Sequence, residues 1–517
     1  MSEKNKIAKR AGVVGGWTMI SRVFGLLRDM AIANAFGSKQ TADAFFVAFR
    51  IPNLLRRLFA EGALTISFVP IFTETLKRDR EEARRVVDIS FSLMVVVLTG
   101  VSIVGILVAP WLVRLTAWGF TRDPEKFALT VFLTRVMFPY ILLISLAALA
   151  MGVLNSLKHF ASPAAASIFM NIGIIAGALW FTHWFHPPIL GLAVGVMVGG
   201  VMQLACHFPY LKPFGFWPRL AWDPKHPVVK KVMGMMLPAA YGAAVYQFNV
   251  IVITLLASFL PTGSVSYLWY ADRIMEFPLG VFAISLATVV LPSLSDHAAD
   301  QDHEAFKETF RYGLRFVLLI TLPAMVGMIV LSHPIIHILF QHGSFTELAS
   351  EKTSQALICY ALGLPFIAAV RMTSNAFFAL QDSKQPVRVA NQSVLVNIVF
   401  CLLLMWPLKH NGLALAVSIA SAYNLIMHLV HFRKKVGLLG LKKVFSASLR
   451  MALGALLMGF ILFYLQRFIS QDQRLMSQVL SLSCLVMIGM VCYFVFLRLL
   501  GVEEVKNLRA LLRKKRV

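Results

Sequence analysis

The chain reads as an all-α, multi-pass membrane protein, and three observations carry that reading. Of its 517 residues 58% are hydrophobic and only 14% charged, where a soluble domain is about half apolar and about a quarter charged. The apolar residues gather into about fourteen runs, each near the ~20 residues that cross a bilayer. The runs also contain an internal repeat, which arranges them as roughly six, six and two.

In chain order the expected spans are 11–35, 41–70, 87–114, 127–152, 163–183, 188–210, 234–260, 265–294, 312–332, 353–379, 387–406, 412–432, 446–466 and 475–498. The basic stretch from Met1 to Arg10 runs straight into the first span with no small-residue cleavage site, so it is expected to stay as a cytoplasmic end. The second span is unusual, because it carries Asp43, Arg50, Arg56, Arg57 and Glu61 around Pro52. An even number of spans puts both termini on one side. Basic loops fix which side: Lys77-Arg78, Arg84-Arg85, Lys230-Lys231, Arg433-Lys434-Lys435, Lys442-Lys443 and Arg513 to Arg516 fall together with the termini. The opposite loops hold only Lys39, Arg122, Lys126, Lys352, Lys409, Arg467 and Arg474. The rich side is cytoplasmic by the positive-inside rule.

The formal charge of +24 is therefore mainly topological. Nucleic-acid binding needs a basic stripe on a soluble fold, and here the cations sit in short clusters between apolar runs. Some of these clusters also suit anionic lipid head groups. The five cysteines, Cys206, Cys359, Cys401, Cys484 and Cys492, lie in apolar runs without a CxxC pair, which argues against a disulfide framework or a zinc site.

Residues 45–66 align without gaps onto 268–289, pairing Ala48, Arg50, Ile51, Phe59, Ala60 and Thr65 with Ala271, Arg273, Ile274, Phe282, Ala283 and Thr288. Further on, Pro139, Leu154, Lys158 and Asn171-Ile172 match Pro365, Leu380, Lys384 and Asn397-Ile398. The copies are parallel, as in transporters that rock two lobes about a central site. The expected lobes are 1–215 and 216–440, with 441–517 holding two extra helices and a basic cytoplasmic tail.

Charges within spans are costly and concentrate in spans one, two and eight. At 100° per residue Asp43, Arg50, Arg57 and Glu61 share one face, with Arg56 displaced. Arg22 and Asp29 share a face of the first span, with Arg28 off it, and Asp272, Arg273 and Glu276 cluster in the eighth. One reading is a cationic cavity for an anionic substrate, since guanidinium forks suit phosphate oxygens; the other is structural ion pairing and snorkelling. Arg28, Arg56 and Arg273 favour the first reading, while Arg57, Asp29 and Glu61 suit either. Arg114, Arg315 and Arg450 near span ends read as snorkelling, Arg135 and Arg371 receive no role, and His428 and His431 read as interfacial. His333 and His337 have metal-like spacing but no adjacent carboxylate. Phosphate loops, nucleophile elbows and HExxH motifs are missing from the sequence, which argues against an enzyme and suggests no cofactor.

The runs SRVFGLLRD (21–29), Phe36-Gly37, DAFFVAFRIPNLLRRLFAEGA (43–63), FPYILLISL (138–146) and YADRIMEFPLG (270–280) resemble the MurJ (MviN) family of lipid II flippases, and the resemblance covers essentially the whole chain. It implies fourteen helices in a fold related to multidrug and polysaccharide exporters. It also implies transport of undecaprenyl-diphosphate-linked peptidoglycan precursor from the cytoplasmic to the periplasmic leaflet of a bacterial inner membrane. On the matching positions it implies substrate contacts from Arg22, Arg28, Arg56 and Arg273, with Asp43 as an acidic cavity member. Asp29, Arg50, Asn53, Arg57, Glu61, Asp272 and Glu276 are the supporting polar set. Arg50 stands where relatives also carry lysine, and the last two helices are expected to form a groove for the lipid tail. Expected partners are lipid II, membrane lipids and the cell-wall synthesis machinery. Two rivals stay open: an exporter of another polyprenyl-linked glycan or a drug, and a non-transporting scaffold for cell-wall enzymes. An arginine-rich cavity disfavours a cationic drug, whereas a different glycan lipid shares the diphosphate.

Overall fold

The computed structural model describes residues 3–56, 64–280, 284–468, 475–502 and 504. All regular structure among them is helical. The chain divides into two compact units, Met1–Ser266 with His342–Phe345, and Tyr267–Gln341 with Thr346–Val517.

The first unit holds α1 (Glu3–Phe36), α2 (Gln40–Leu55), α3 (Thr65–Arg78), α4 (Arg80–Ala117), α5 (Pro124–Met137), α6 (Tyr140–Ser156), α7 (Ala161–Leu179), α8 (Leu190–Ala205), the short α9 (Phe208–Leu211) and α10 (Pro227–Ser258). Helix starts follow local chemistry. Asp79 accepts from the backbone N–H groups of Glu81 and Glu82 to open α4, and Asp123 accepts from Lys126 N beside Pro124 to open α5. Phe68 stacks on Phe72, which meets Phe216 edge to face, in a core that α3, α4 and α6 share. The helix α10 packs on α3 and α4, so this unit extends past residue 215. The stretch before α10 is pinned to α4: Arg219 N donates to Asp88 Oδ1 at 2.9 Å, Ala221 N to Ser92 Oγ at 2.9 Å, and His226 Nε2 lies 3.1 Å from Glu82 Oε1.

Glycines allow two close approaches. On α7, a Cβ at Gly173 would stand 2.5 Å from the backbone of Gly199, and one at Gly177 would stand 2.7 Å from the carbonyl of Gly191, so α7 and α8 touch backbone to backbone. The segment His342–Phe345 joins the first unit through Ser344 N, which donates to Asn34 O at 2.8 Å. There Gly37 (φ +61) and Gly343 (φ +57) adopt left-handed backbone where any side chain would overlap the opposing strand of chain.

Proline leaves a second mark on this unit. Pro110 has no N–H for the carbonyl of Ile106, four residues earlier in α4. Arg135 Nε donates to that carbonyl at 3.2 Å, which gives this arginine a role that its sequence context did not suggest.

The second unit is built from α11 (Ser264–Pro278), which starts in the last residues of the first, α12 (Ile284–Ala299), α13 (His303–Val330), α14 (Ser332–Phe340), α15 (Glu347–Ala361), α16 (Leu364–Ala379), α17 (Lys384–Leu408), α18 (His410–Val436), α19 (Leu441–Leu465) and α20 (Leu475–Leu499). The last two pack on α13 through Leu319, Val326, Met451, Met458, Leu462, Leu485 and Leu497. Both α6 and α16 end in a non-glycine residue with left-handed backbone, Lys158 (φ 63) and Gln381 (φ 56). Lys384 instead opens α17, so it is not placed as Lys158 is.

This is a multi-pass membrane protein. Ten helical segments among the described residues are long and apolar enough to cross a bilayer. The expected spans 11–35, 41–70, 234–260 and 265–294 are not among them. The first is diluted by Arg22, Arg28 and Asp29, and the second and last each contain residues outside the described set.

Candidate functional site

In the first unit α1 and α2 carry the charges. Arg28 is locked: its Nε and Nη2 donate to Asp29 Oδ1 at 3.0 and 2.8 Å, Nη2 also reaches Oδ2 at 2.9 Å, and Nη1 donates to Asn171 Oδ1 at 3.1 Å. Asp29 is 1% exposed, and such a bidentate pair is the strong form of an ion pair. Asn171 on α7 also donates to the carbonyl of Ser21 at 3.3 Å, tying the guanidinium back to α1. Arg22, half-buried one to two turns away, makes no hydrogen bond or ion pair among the described residues. On α2, Arg56 Nε donates to Asn53 Oδ1 at 2.9 Å. Arg50 donates to the Thr254 hydroxyl and, at 3.4 Å, to the Val250 carbonyl of α10.

Asp43 has a different environment from an open cavity acid. It is 1% exposed, and its two oxygens accept from Lys126 Nζ (2.9 Å), Gly263 N (2.8 Å), Ser266 N (3.0 Å) and Ser266 Oγ (2.6 Å). Three of those donors belong to the start of α11, whose first N–H groups have no helical acceptor and favour a negative charge. Lys126, read from sequence as a loop cation that only marks topology, is 5% exposed and lies 4.0 Å from the Phe120 ring centroid. No local signal separates it from a surface lysine; its partner is 83 residues away.

In the second unit Arg273 donates to Glu276 Oε2 at 2.7 Å, one turn along α11, and its guanidinium carbon lies 4.6 Å from the Trp269 ring centroid. Asp272 is half-buried beside it. This helix thus sets one arginine against two carboxylates, whereas residues 22–56, spanning the end of α1 through the C-cap of α2, set Arg22, Arg28, Arg50 and Arg56 against Asp29 and Asp43. Among these charges, the arginine excess belongs to the first unit. Arg57 and Glu61 lie outside the described residues.

Several other expectations change. Arg315 does not snorkel: it pairs with Glu504 at 2.9 Å, and that carboxylate is 4% exposed. Arg114 lies over the Trp111 and Phe127 rings at 4.9 and 5.7 Å. His428 is buried in the protein, 3.3 Å from Ser374 Oγ. His333 and His337 stack ring on ring at 6.0 Å, and the described residues hold no metal-binding cluster.

The profile of the lipid II flippase MurJ family matches residues 32–497. The chain belongs to the MurJ lipid II flippase family. A probable MurJ of Vibrio cholerae serotype O1 is 36% identical over 516 residues, 98% of each chain. The lipid II flippase MurJ of Burkholderia cenocepacia is 38% identical over 427 residues, 82% of this chain and 83% of that one. A solved MurJ in an inward closed conformation superposes with a TM-score of 0.79 at 28% identity, covering 94% of this chain and 99% of that one. An inward-facing multidrug transporter of the MATE family shares the fold, with a TM-score of 0.70 at 15% identity.

Proposed function

We propose that this protein is a lipid II flippase: a transporter, not an enzyme, that moves undecaprenyl-diphosphate-linked peptidoglycan precursor from the cytoplasmic to the periplasmic leaflet of a bacterial inner membrane. The observation that carries this reading is the family match across residues 32–497. Both termini lie in the cytoplasm, as the basic loops require.

The chemistry of the residues agrees with that task. A diphosphate bearing a sugar-peptide cannot cross hydrocarbon unaided. Arg22, with no protein partner among the described residues, is the first contact for the diphosphate. Arg28 and Arg56 follow, each now held by a neutral amide that a phosphate oxygen can replace. Asp29 keeps Arg28 neutralised while no substrate is present. Arg273 is the contribution of α11, released from Glu276 when a stronger anion arrives. Asp43 acts as a positioning residue, because its oxygens are already filled by Lys126 and the start of α11. Transport is by alternating access, and the membrane potential acts on the bound polyanion with ~2.3 kcal/mol per charge per 100 mV. Recruitment of cell-wall synthesis enzymes belongs to the same proposal.

The test is depletion of the native flippase in cells supplied with this chain, followed by a leaflet-resolved assay of lipid II. Restored periplasmic exposure is the expected result. Accumulation of precursor in the cytoplasmic leaflet despite full expression overturns the reading, and selective movement of another polyprenyl-linked glycan reassigns the substrate.

A further inference from the structure

The helix α13 contains Pro323, which has no N–H for the carbonyl of Leu319. Inside a bilayer an unpaired carbonyl has no water to turn to. The hydroxyl of Tyr493, on α20, donates to that carbonyl at 3.0 Å across 174 residues of sequence. Both residues are 2% exposed. The bond therefore satisfies two buried polar groups at once, the phenol of α20 and the carbonyl that the proline orphans.

Two further contacts lie on either side of it. One turn earlier, Arg315 of α13 pairs with Glu504, just beyond α20, at 2.9 Å. Further along, Gly459 of α19 lies against Val326 of α13 so closely that a Cβ there would stand 2.5 Å from Val326 Cγ1. In the first unit the carbonyl orphaned by Pro110 is filled by Arg135 from α5, a helix of the repeat itself. In the second unit the donor comes from outside the repeat.

We propose that Tyr493 is a positioning residue for translocation: its hydroxyl fills the carbonyl that Pro323 leaves open in α13, so that α19 and α20 act on transport through α13 and travel with it as one body. This rests on the flippase reading. A proline interrupts the hydrogen-bond ladder of a helix and is where a helix kinks, so the donor must follow the carbonyl throughout. The apolar helix pair is thus a working part of the second unit as well as a surface for lipid.

The experiment is a double-mutant cycle on the full chain, reading lipid II translocation rate and lipid II binding separately at matched membrane expression. Tyr493→Phe removes the donor and is expected to slow translocation about fivefold, the weight of one buried hydrogen bond left unmade, with binding unchanged. Pro323→Ala restores an N–H within α13, so Tyr493→Phe should then have no effect on rate. Wild-type rate in Tyr493→Phe, or equal slowing by Tyr493→Phe in both backgrounds, overturns the proposal. If Tyr493→Phe does not reach the membrane, Gly459→Ala reads the same coupling by forcing α19 off α13: a slowed rate with binding intact supports it, and an unchanged rate overturns it. Failure of the wild type to move lipid II would instead overturn the flippase reading.

Discussion

The two copies of the repeat meet the same problem with opposite solutions. In α2, Arg50 reaches off its helix to the Thr254 hydroxyl and the Val250 carbonyl. In α11 the matching Arg273 donates to Glu276 of the same helix and lies over the face of Trp269. The slot of Glu276 holds Asn53 in the first copy, and the slot of Trp269 holds Phe46, which is 0% exposed. An arginine bonded to another helix is an anchor. One held by its own helix can exchange its partner without disturbing the packing. Sequence equivalence therefore does not mean equivalence of role, and the surroundings of each guanidinium decide how it can meet a substrate.

The sharpest way to break this comparison is to remove each arginine in turn. Arg273→Ala should abolish complementation of flippase-depleted cells, with transport down ~100-fold, the usual cost of deleting one member of a desolvated charge contact. Arg50→Ala should leave transport measurable and show its loss mainly in thermal melting. Equal transport by both variants would dissolve the distinction. Asp43 gives the next largest effect. Asp43→Ala strands Lys126 in a buried site and should cost about 3–5 kcal/mol in unfolding. Adding Lys126→Met should recover part of that loss in the same melt, and full additivity of the two changes would remove the pair from the account. A smaller change is Arg50→Lys, which keeps the charge but not the geometry and should cost about 1 kcal/mol with transport intact.

The smallest effect concerns the turns that end α6 and α16. In the first, burial lowers the pKa of His159 from its ordinary 6.5. In the second, the bond from Lys435 holds the Asp382 carboxyl below its ordinary 3.8. The unfolded chain takes up a proton at His159 before the folded one does, so stability falls as pH drops through 6.5. Asp382 keeps its contribution until pH falls through its lowered value. Melting between neutrality and about pH 5 should lose a fraction of a kcal/mol that His159→Asn abolishes and Asp382→Asn leaves in place. An unchanged slope in His159→Asn would exclude that turn as the source.

Much of this was legible in the chain. Long apolar runs such as those of α4, α13 and α20 announce themselves by composition, and the pairing of Arg28 with Asp29 follows from adjacency. Partners distant in sequence did not show. Asn171 lies 143 residues from Arg28, and Lys126 looked like any loop cation. Helical periodicity reports which face a side chain occupies, not what stands opposite it. The prolines held a readable clue: each one inside a helix orphans the carbonyl four residues before it, and Pro110 and Pro323 require donors somewhere. Arg135 and Tyr493 are those donors, although only packing could select them.

The glycine contact between α7 and α8 has a practical consequence. Because their backbones touch at Gly173, Gly177, Gly191 and Gly199, the pair cannot slide or spread without losing contact along its length. Two spectroscopic labels, one on the outer side of each helix, should keep a constant separation through every turnover. That fixed separation makes the pair an internal ruler, against which the displacement of a third label elsewhere in the protein can be read in a working membrane.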